Sequence, residues 1–313
     1  MKLAFLFPGQ GSQYLGMGRK IYEDYPQAKK IFDQADSCLG INLSRLCFEG
    51  PEEELAKTVN AQPAILTVSI AYLQIINEFG IKPHGVAGHS LGEYSALVAS
   101  GSLSFEDAVQ LVRKRGLFMQ EAVALGRGGM AAVMGLDVAS VQDICKESSI
   151  KGVVEAVNLN SPGQVVIAGE NEALDAACNL ARERGAKRCI KLPVSAPFHS
   201  SLMRPAGKRL ARELEKVTVD DPNVPVVVNV SAGYAESGEQ IRRALTDQVH
   251  SPVRWQESIE RMIADGFDTF FEIGPGKVLT GLTRKINRRV TTFSADSDEE
   301  LESVLLRVKE VAK

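Results

Sequence analysis

Long apolar runs, an excess of basic residues and paired cysteine motifs are all missing from this 313-residue chain. No apolar stretch approaches the ~20 residues that cross a bilayer, so a membrane protein is not expected. Lys plus Arg is 36 against 39 for Asp plus Glu, a net charge of -3. General nucleic-acid binders are basic, so nucleic acid is not an expected partner. Any anionic partner must be met by a local positive patch. The five cysteines, at 38, 47, 145, 178 and 189, include no CxxC pair. Neither a metal site nor a disulfide framework is expected, and a reducing cytoplasm fits best. The start, Met1-Lys2-Leu3-Ala4-Phe5-Leu6-Phe7, has one cation and only five consecutive apolar residues before Pro8-Gly9. That is too short for a secretory signal. Internal repeats and low-complexity tracts are also lacking. What is there is 44% hydrophobic and 24% charged, ordinary for a soluble globular protein.

The length suggests two folding units, at roughly 100–200 residues each. Residues 3–7 read as a buried strand running into the glycine-rich turn Pro8-Gly9-Gln10-Gly11-Ser12-Gln13. A strand apolar on both faces suits a parallel sheet covered on both sides. Helical patterns follow near 19–39 and 51–57. Residues 64–79 are apolar around the whole circumference, which predicts a buried helix closed by Gly80. A strand at 86–88, a helix over 93–100 and a capped helix from Ser104 to about Glu121 continue a β-α-β-α order. After Gly126-Arg127-Gly128-Gly129 the order becomes strand 130–134, helix 138–147, strands 153–158 and 165–168, helix 172–184 and strand 188–192. That β-α-β-β-α-β order is the pattern of a ferredoxin-like unit. From Pro197 the α/β pattern resumes, with helices at 198–216, 238–247, 255–265 and 297–311 and strands at 225–230, 268–273 and 290–294. The expected fold is an α/β core over 1–125 and 197–313 with a ferredoxin-like subdomain, 126–196, inserted into it.

Gly88-His89-Ser90-Leu91-Gly92 is a G-x-S-x-G pentapeptide between a predicted strand and a predicted helix. A nucleophile on such a turn sits on a strained backbone, and its glycines let neighbouring elements approach. The helix that follows aims N–H groups and a positive dipole end at the reacting centre. The N–H of Leu91 is the natural first oxyanion donor. A chance match in a glycine-rich chain is the competing reading, and the strand-to-helix placement argues against it.

A serine hydroxyl needs a base to take its proton. The four histidines are 84, 89, 199 and 250. His84 lies in a polar turn. His89 sits inside the elbow, facing away from the side Ser90 uses, and is expected to support the turn. His199, at the rigid entry to a helix after Ala196-Pro197-Phe198, is the chosen base; His250 is the runner-up. No carboxylate stands in a recognisable triad motif, so a neutral carbonyl could orient the imidazole instead. Such an arrangement stabilises imidazolium less than a carboxylate does. It suits a thioester, whose thiol leaves at a pKa of ~8.5.

Phe7-Pro8-Gly9-Gln10-Gly11-Ser12-Gln13, Gly88-His89-Ser90-Leu91-Gly92, Arg115, Asn160-Ser161-Pro162-Gly163-Gln164, Ala196-Pro197-Phe198-His199-Ser200 and Glu272-Ile273-Gly274-Pro275-Gly276 occur in that order. Together they resemble the malonyl-CoA:acyl carrier protein transacylases of bacterial type II fatty acid synthesis, over essentially the whole chain. The resemblance implies an α/β-hydrolase-like core and a ferredoxin-like subdomain. It implies Ser90 as nucleophile, His199 as base, the N–H groups of Gln10 and Leu91 as oxyanion hole, and the main-chain carbonyl of Gln248 as orienter of His199. It implies malonyl-CoA and acyl carrier protein as partners, ping-pong transfer through a malonyl-serine ester, no metal or redox cofactor, and a monomer.

Arg115 carries the substrate expectation. On an ideal helix it shares an apolar face with Leu111 and Met119, so it should point inward. The competing reading is a solvated charge run. A guanidinium pairs bidentately with a carboxylate, so the resemblance makes Arg115 the clamp on the free malonyl carboxylate. Phe198 is the residue type associated in related modular acyltransferases with malonyl over methylmalonyl; ordinary core packing is the alternative. An acidic carrier protein would dock on Arg284-Lys285 with Arg288-Arg289, or on Arg204, Lys208, Arg209 and Arg212. Three rival functions stay open: a serine thioesterase or lipase, a polyketide acyltransferase with another acyl donor, and a carrier-binding scaffold without activity. A hydrolase should show an acid between serine and histidine. The patatin-like variant needs Asp-Gly-Gly or Asp-Gly-Ala, which the chain lacks.

Overall fold

The computed structural model describes residues 2–124, 126–194, 196–296 and 301–311. Its strands are β1 (Leu3–Phe7), β2 (Gly85–Gly88), β3 (Gly128–Met134), β4 (Val154–Ser161), β5 (Gln164–Glu170), β6 (Arg188–Lys191), β7 (Val226–Val228), β8 (Gly233–Ala235), β9 (Thr269–Glu272) and β10 (Thr291–Ser294). They form a six-stranded sheet in the order β10-β9-β1-β2-β7-β8 and a four-stranded sheet in the order β4-β5-β3-β6. The first is parallel apart from its edge strand β8; the second is antiparallel throughout.

Strand β1 is buried on both faces, as its sequence predicts. Leu3, Phe5 and Phe7 pack into one apolar cluster, and Ala4 and Leu6 into another on the opposite face. The small sheet has its own core, in which Ala131, Val133, Val165 and Ile167 meet Val141, Ile144, Ala173 and Leu174 from its two helices, Val138–Ser148 and Asn171–Glu183. Alternation along β5 turns Val166 and Ala168 the other way, into the large core. The small unit is therefore stitched to the large one through the second face of its sheet. Leu159 and Val253 extend the seam: Leu159 N–H donates to the Val253 carbonyl at 2.9 Å, and Val253 N–H to the Val157 carbonyl at 2.8 Å.

Several boundaries differ from the sequence reading. The pattern near 19–39 is two helices, Arg19–Asp24 and Pro26–Leu39, because Tyr25 is extended and Pro26 starts the second. Helix Leu43–Glu49, capped by the Asn42 side chain, was not expected; nor was β8. The buried helix runs over Thr58–Glu78 and starts six residues earlier than expected, since Thr58, Asn60, Gln62 and Pro63 hide its first turns. At 21 residues it is also long and apolar enough to cross a bilayer, contrary to expectation, because its apolar residues are interrupted by scattered polar ones. Here it is spent inside the protein, against helices Phe105–Glu121 and Pro26–Leu39. The helix expected over 198–216 begins only at Arg204, after a single 3-10 turn, Ser201–Met203. Of the last expected helix, Leu301–Val311 is seen, and residues 297–300 lie outside the described residues.

Candidate active site

Ser90 stands at the turn between β2 and helix Gly92–Ala99 with φ 52°, a conformation L-residues rarely adopt. The turn is tight enough to require glycine beside it. A Cβ on Gly92 would lie 2.0 Å from the Phe7 carbonyl oxygen, and one on Gly9 2.4 Å from that of His89. The Pro8-Gly9-Gln10 loop after β1 is thereby pressed against the elbow.

His199 also has a positive φ, 63°. Its Nε2 lies 2.7 Å from Ser90 Oγ, across 109 residues of chain. Its Nδ1 lies 2.7 Å from the Gln248 carbonyl oxygen at the end of helix Gly238–Gln248. With Nδ1–H donating to that carbonyl, Nε2 is left as acceptor for the serine hydroxyl. Burial, and then the neighbouring Arg115 charge, push the imidazole down to about 3. The ring is therefore a neutral, available base at physiological pH. His89 turns away, as expected: its Nε2 lies 2.8 Å from Asn160 Oδ1 on β4. His84 accepts the Leu3 N–H, and His250 lies 4.0 Å from Asp247, so neither serves Ser90.

Arg115 is 2% exposed, on helix Phe105–Glu121. The solvated-charge reading is thus overturned. Its Nη1 donates to Gln62 Oε1 at 2.7 Å, and its Nη2 to Gln248 Oε1 at 2.9 Å and to Ser90 Oγ at 3.1 Å. No carboxylate pairs with it among the described residues. Two neutral amides hold the buried cation at the serine oxygen, and the buried Glu93 carboxyl favours its charge through space without bonding to it. Its Nε has no partner there either.

A cavity of about 460 Å³ opens over these groups. Gln10, Leu91, Met119 and Phe198 line it, with Ser90, Arg115 and His199. Among the described residues the N–H groups of Gln10 and Leu91 donate to no protein acceptor, so both remain for a ligand oxygen. Arg284 and Lys285 lie outside the cavity, exposed on helix Val278–Ile286, whose first residues Val278, Leu279 and Leu282 line it. Arg284 Nε donates to Thr292 Oγ1 at 2.7 Å and Lys285 Nζ to Gln164 Oε1 at 3.0 Å, both neutral partners. In the other basic patch Arg209 is tied to Glu121 at 2.7 Å.

Sequence reasoning missed Gln62 and the side chain of Gln248. Gln62 stands beside Thr58 and Asn60 in the polar first turns of its helix, so no local signal set it apart. For Gln248 only the carbonyl was anticipated. The site can deprotonate a serine, hold a developing oxyanion, and attract an anionic group to within reach of both.

Residues 4–299 match the acyl transferase domain family. The chain belongs to that family. As an acyl transferase it is 52% identical over 310 residues to the malonyl CoA-acyl carrier protein transacylase of Bacillus subtilis, covering 99% of this chain and 98% of that protein. Its fold matches the crystal structure of acyl-carrier-protein-S-malonyltransferase from Bartonella henselae with a TM-score of 0.96 at 45% identity, over 99% of this chain and 100% of that one. It also matches a malonyl-transacylase solved in complex with its type II PKS acyl-carrier protein, with a TM-score of 0.94 at 44% identity, over 99% and 100% of the two chains. Those acyl transferases share the mixed architecture seen here, a parallel-sheet core beside a separate antiparallel sheet.

Proposed function

We propose that this acyl transferase is an acyl-carrier-protein S-malonyltransferase of fatty acid biosynthesis. It moves the malonyl group of malonyl-CoA to the phosphopantetheine thiol of acyl carrier protein through an ester on Ser90. Ser90 Oγ attacks the thioester carbonyl as His199 Nε2 takes its proton. The oxyanion is held by the N–H groups of Gln10 and Leu91. The C–S bond breaks, and CoA leaves with the proton from His199. In the second half the carrier thiol gives its proton to His199 and attacks the ester carbonyl; Ser90 Oγ then leaves and is reprotonated. The Gln248 carbonyl keeps the imidazole in the required tautomer. Thioester exchange is redox-neutral, and the groups just named cover each proton and charge, so the reading uses no metal or redox cofactor.

The observation that carries this reading is Arg115: a buried guanidinium that touches the nucleophile and makes no ion pair among the described residues, the buried Glu93 carboxyl acting on it only through space. Burying such a charge unpaired is costly. A substrate that brings its own carboxylate relieves the cost, and an acetyl donor does not. Met119 and Phe198 shape the pocket around that carboxylate. A hydrolase's acid is replaced here by the carbonyl of Gln248, which favours thiol exchange over the thioesterase alternative.

The strand order β4-β5-β3-β6 supports the ferredoxin-like description of 126–196, and the strand-to-helix elbow supports the hydrolase-like description of 1–125 with 197–313. Arg284 and Lys285 are the proposed carrier-docking residues, since their helix begins at the cavity. We place the enzyme in the cytoplasm, as a monomer.

Donor competition tests the reading. Malonyl-CoA, acetyl-CoA and methylmalonyl-CoA are offered together with a carrier-protein acceptor. The expected result is malonyl transfer well ahead of both; equal use of acetyl would overturn it.

A further inference from the structure

Ser90 holds an unfavourable backbone conformation, and both of its backbone polar groups are satisfied by side chains. Its N–H donates to Asn229 Oδ1 at 2.7 Å, and its carbonyl accepts from Gln248 Nε2 at 2.9 Å. Asn229 also donates from Nδ2 to the Gly88 carbonyl at 2.7 Å. The Asn229 amide thus spans His89 and holds the chain entering Ser90, while Gln248 holds the carbonyl leaving it. Asn229 follows β7, the strand paired with β2, and is fully buried. Its own N–H donates to Glu93 Oε2 at 2.7 Å.

Glu93 is fully buried in the first turn of the helix after the elbow. Its second oxygen, Oε1, has no hydrogen-bond partner among the described residues. Burial pushes its carboxyl up to about 7. A buried, half-satisfied acid is an expensive way to fill space. Neither Asn229 nor Glu93 lines the cavity, and the reaction above gives neither a proton to move. What joins them is the bond from the Asn229 N–H to Glu93, which ties this carboxyl to the amide that holds the Ser90 backbone; Arg115 acts on the same carboxyl through space.

We propose that Asn229 is a positioning residue that clamps Ser90 in its strained conformation, and that Glu93 sets Asn229 by accepting its N–H. The inference rests on Ser90 being the nucleophile, and does not depend on which acyl group it carries.

A fluorophosphonate probe tests this, because it needs only an activated serine. Labelling rate and final labelled fraction are measured for wild type, Asn229→Ala, Glu93→Ala and Glu93→Gln, beside malonyl-enzyme formation and thermal unfolding. A reacting atom misplaced by about 1 Å costs on the order of a hundredfold. Asn229→Ala is expected to slow both reactions by roughly ten- to a hundredfold, leaving the apparent KM for malonyl-CoA unchanged. Glu93→Ala is expected to slow them less, and Glu93→Gln to recover most of that loss, since its amide oxygen still accepts. A protein that merely folds poorly would label a smaller fraction at the wild-type rate, and that result for Asn229→Ala overturns the proposal. Glu93→Gln as slow as Glu93→Ala overturns the part assigned to Glu93. If Asn229→Ala does not fold, Asn229→Asp keeps the shape and the acceptor but loses the donor to Gly88; a wild-type labelling rate there overturns the clamp. Wild type that labels with the probe yet refuses malonyl would sink the substrate reading alone.

Discussion

The two sheets face one cavity and do different things there. The parallel sheet delivers groups at the reacting centre: Gln10 follows β1, Ser90 follows β2, and Asn229, which braces Ser90, follows β7. The antiparallel sheet delivers a wall, with Met130 and Ala132 from β3, Asn158 and Asn160 from β4, and Val166 from β5. The reason lies in strand geometry. Parallel strands end together, and the crevice beyond their carboxyl ends gathers loops and helix N-termini from distant parts of the chain. Antiparallel strands instead present alternate side chains, so β5 gives Val165 and Ile167 to its own core and Val166 to the cavity. Chemistry should break when the first region is changed, and only shift when the second is.

The largest effect is expected at the base. His199→Ala should slow malonyl-enzyme formation by roughly 10²–10⁴, the usual share of general base catalysis. Rapid-quench measurement checks it; a loss under tenfold would remove His199 from the role. Next comes Arg115→Ala. At ~3 kcal/mol for a buried charge pair, malonyl transfer should fall more than a hundredfold relative to acetyl transfer. Equal losses with both donors would end the clamp assignment.

The same division explains what could be read from the chain alone. The β-α alternation and the inserted β-α-β-β-α-β order were legible, because hydrophobic period reports local structure directly. Ser90 was legible because the elbow is a local device. Gln62, Asn229 and Glu93 were not, because their importance arises from hydrogen bonds closed over 53, 139 and 136 residues of separation. Asn229 looks like any asparagine after a strand until β7 is placed beside β2. Helix Leu43–Glu49 escaped because it buries only Leu43 and Cys47, and its Asn42 cap shows only in the structure.

The wall should respond mildly. Val166→Ala removes two methyl groups from the cavity lining and should change transfer by less than about tenfold. Hydrolysis of the acyl-enzyme should rise, since water is less well excluded. Stopped acyl-enzyme decay without acceptor thiol measures this; a loss as large as that of His199→Ala would erase the contrast between the sheets.

The smallest expected effect is on stability against pH. His199 sits near 3 folded and near its ordinary 6.5 unfolded, so below about 6.5 the unfolded chain binds the extra proton. Its contribution therefore destabilises the fold as pH falls from 6.5 toward 3. Glu93 and Glu272, both raised to about 7 by burial, act with the opposite sign between 4.5 and 7. His199→Gln isolates the histidine, and its unfolding temperature should fall less steeply on acidification than that of wild type. An identical slope would mean that the imidazole is not held neutral.

The most direct measurement is peptide mass spectrometry of the protein after mixing with malonyl-CoA and acid quench. One malonyl ester is expected, on the peptide carrying Ser90, absent from Ser90→Ala. An undiminished adduct in that variant, or malonyl transfer to carrier protein with no ester ever formed, would contradict transfer through Ser90.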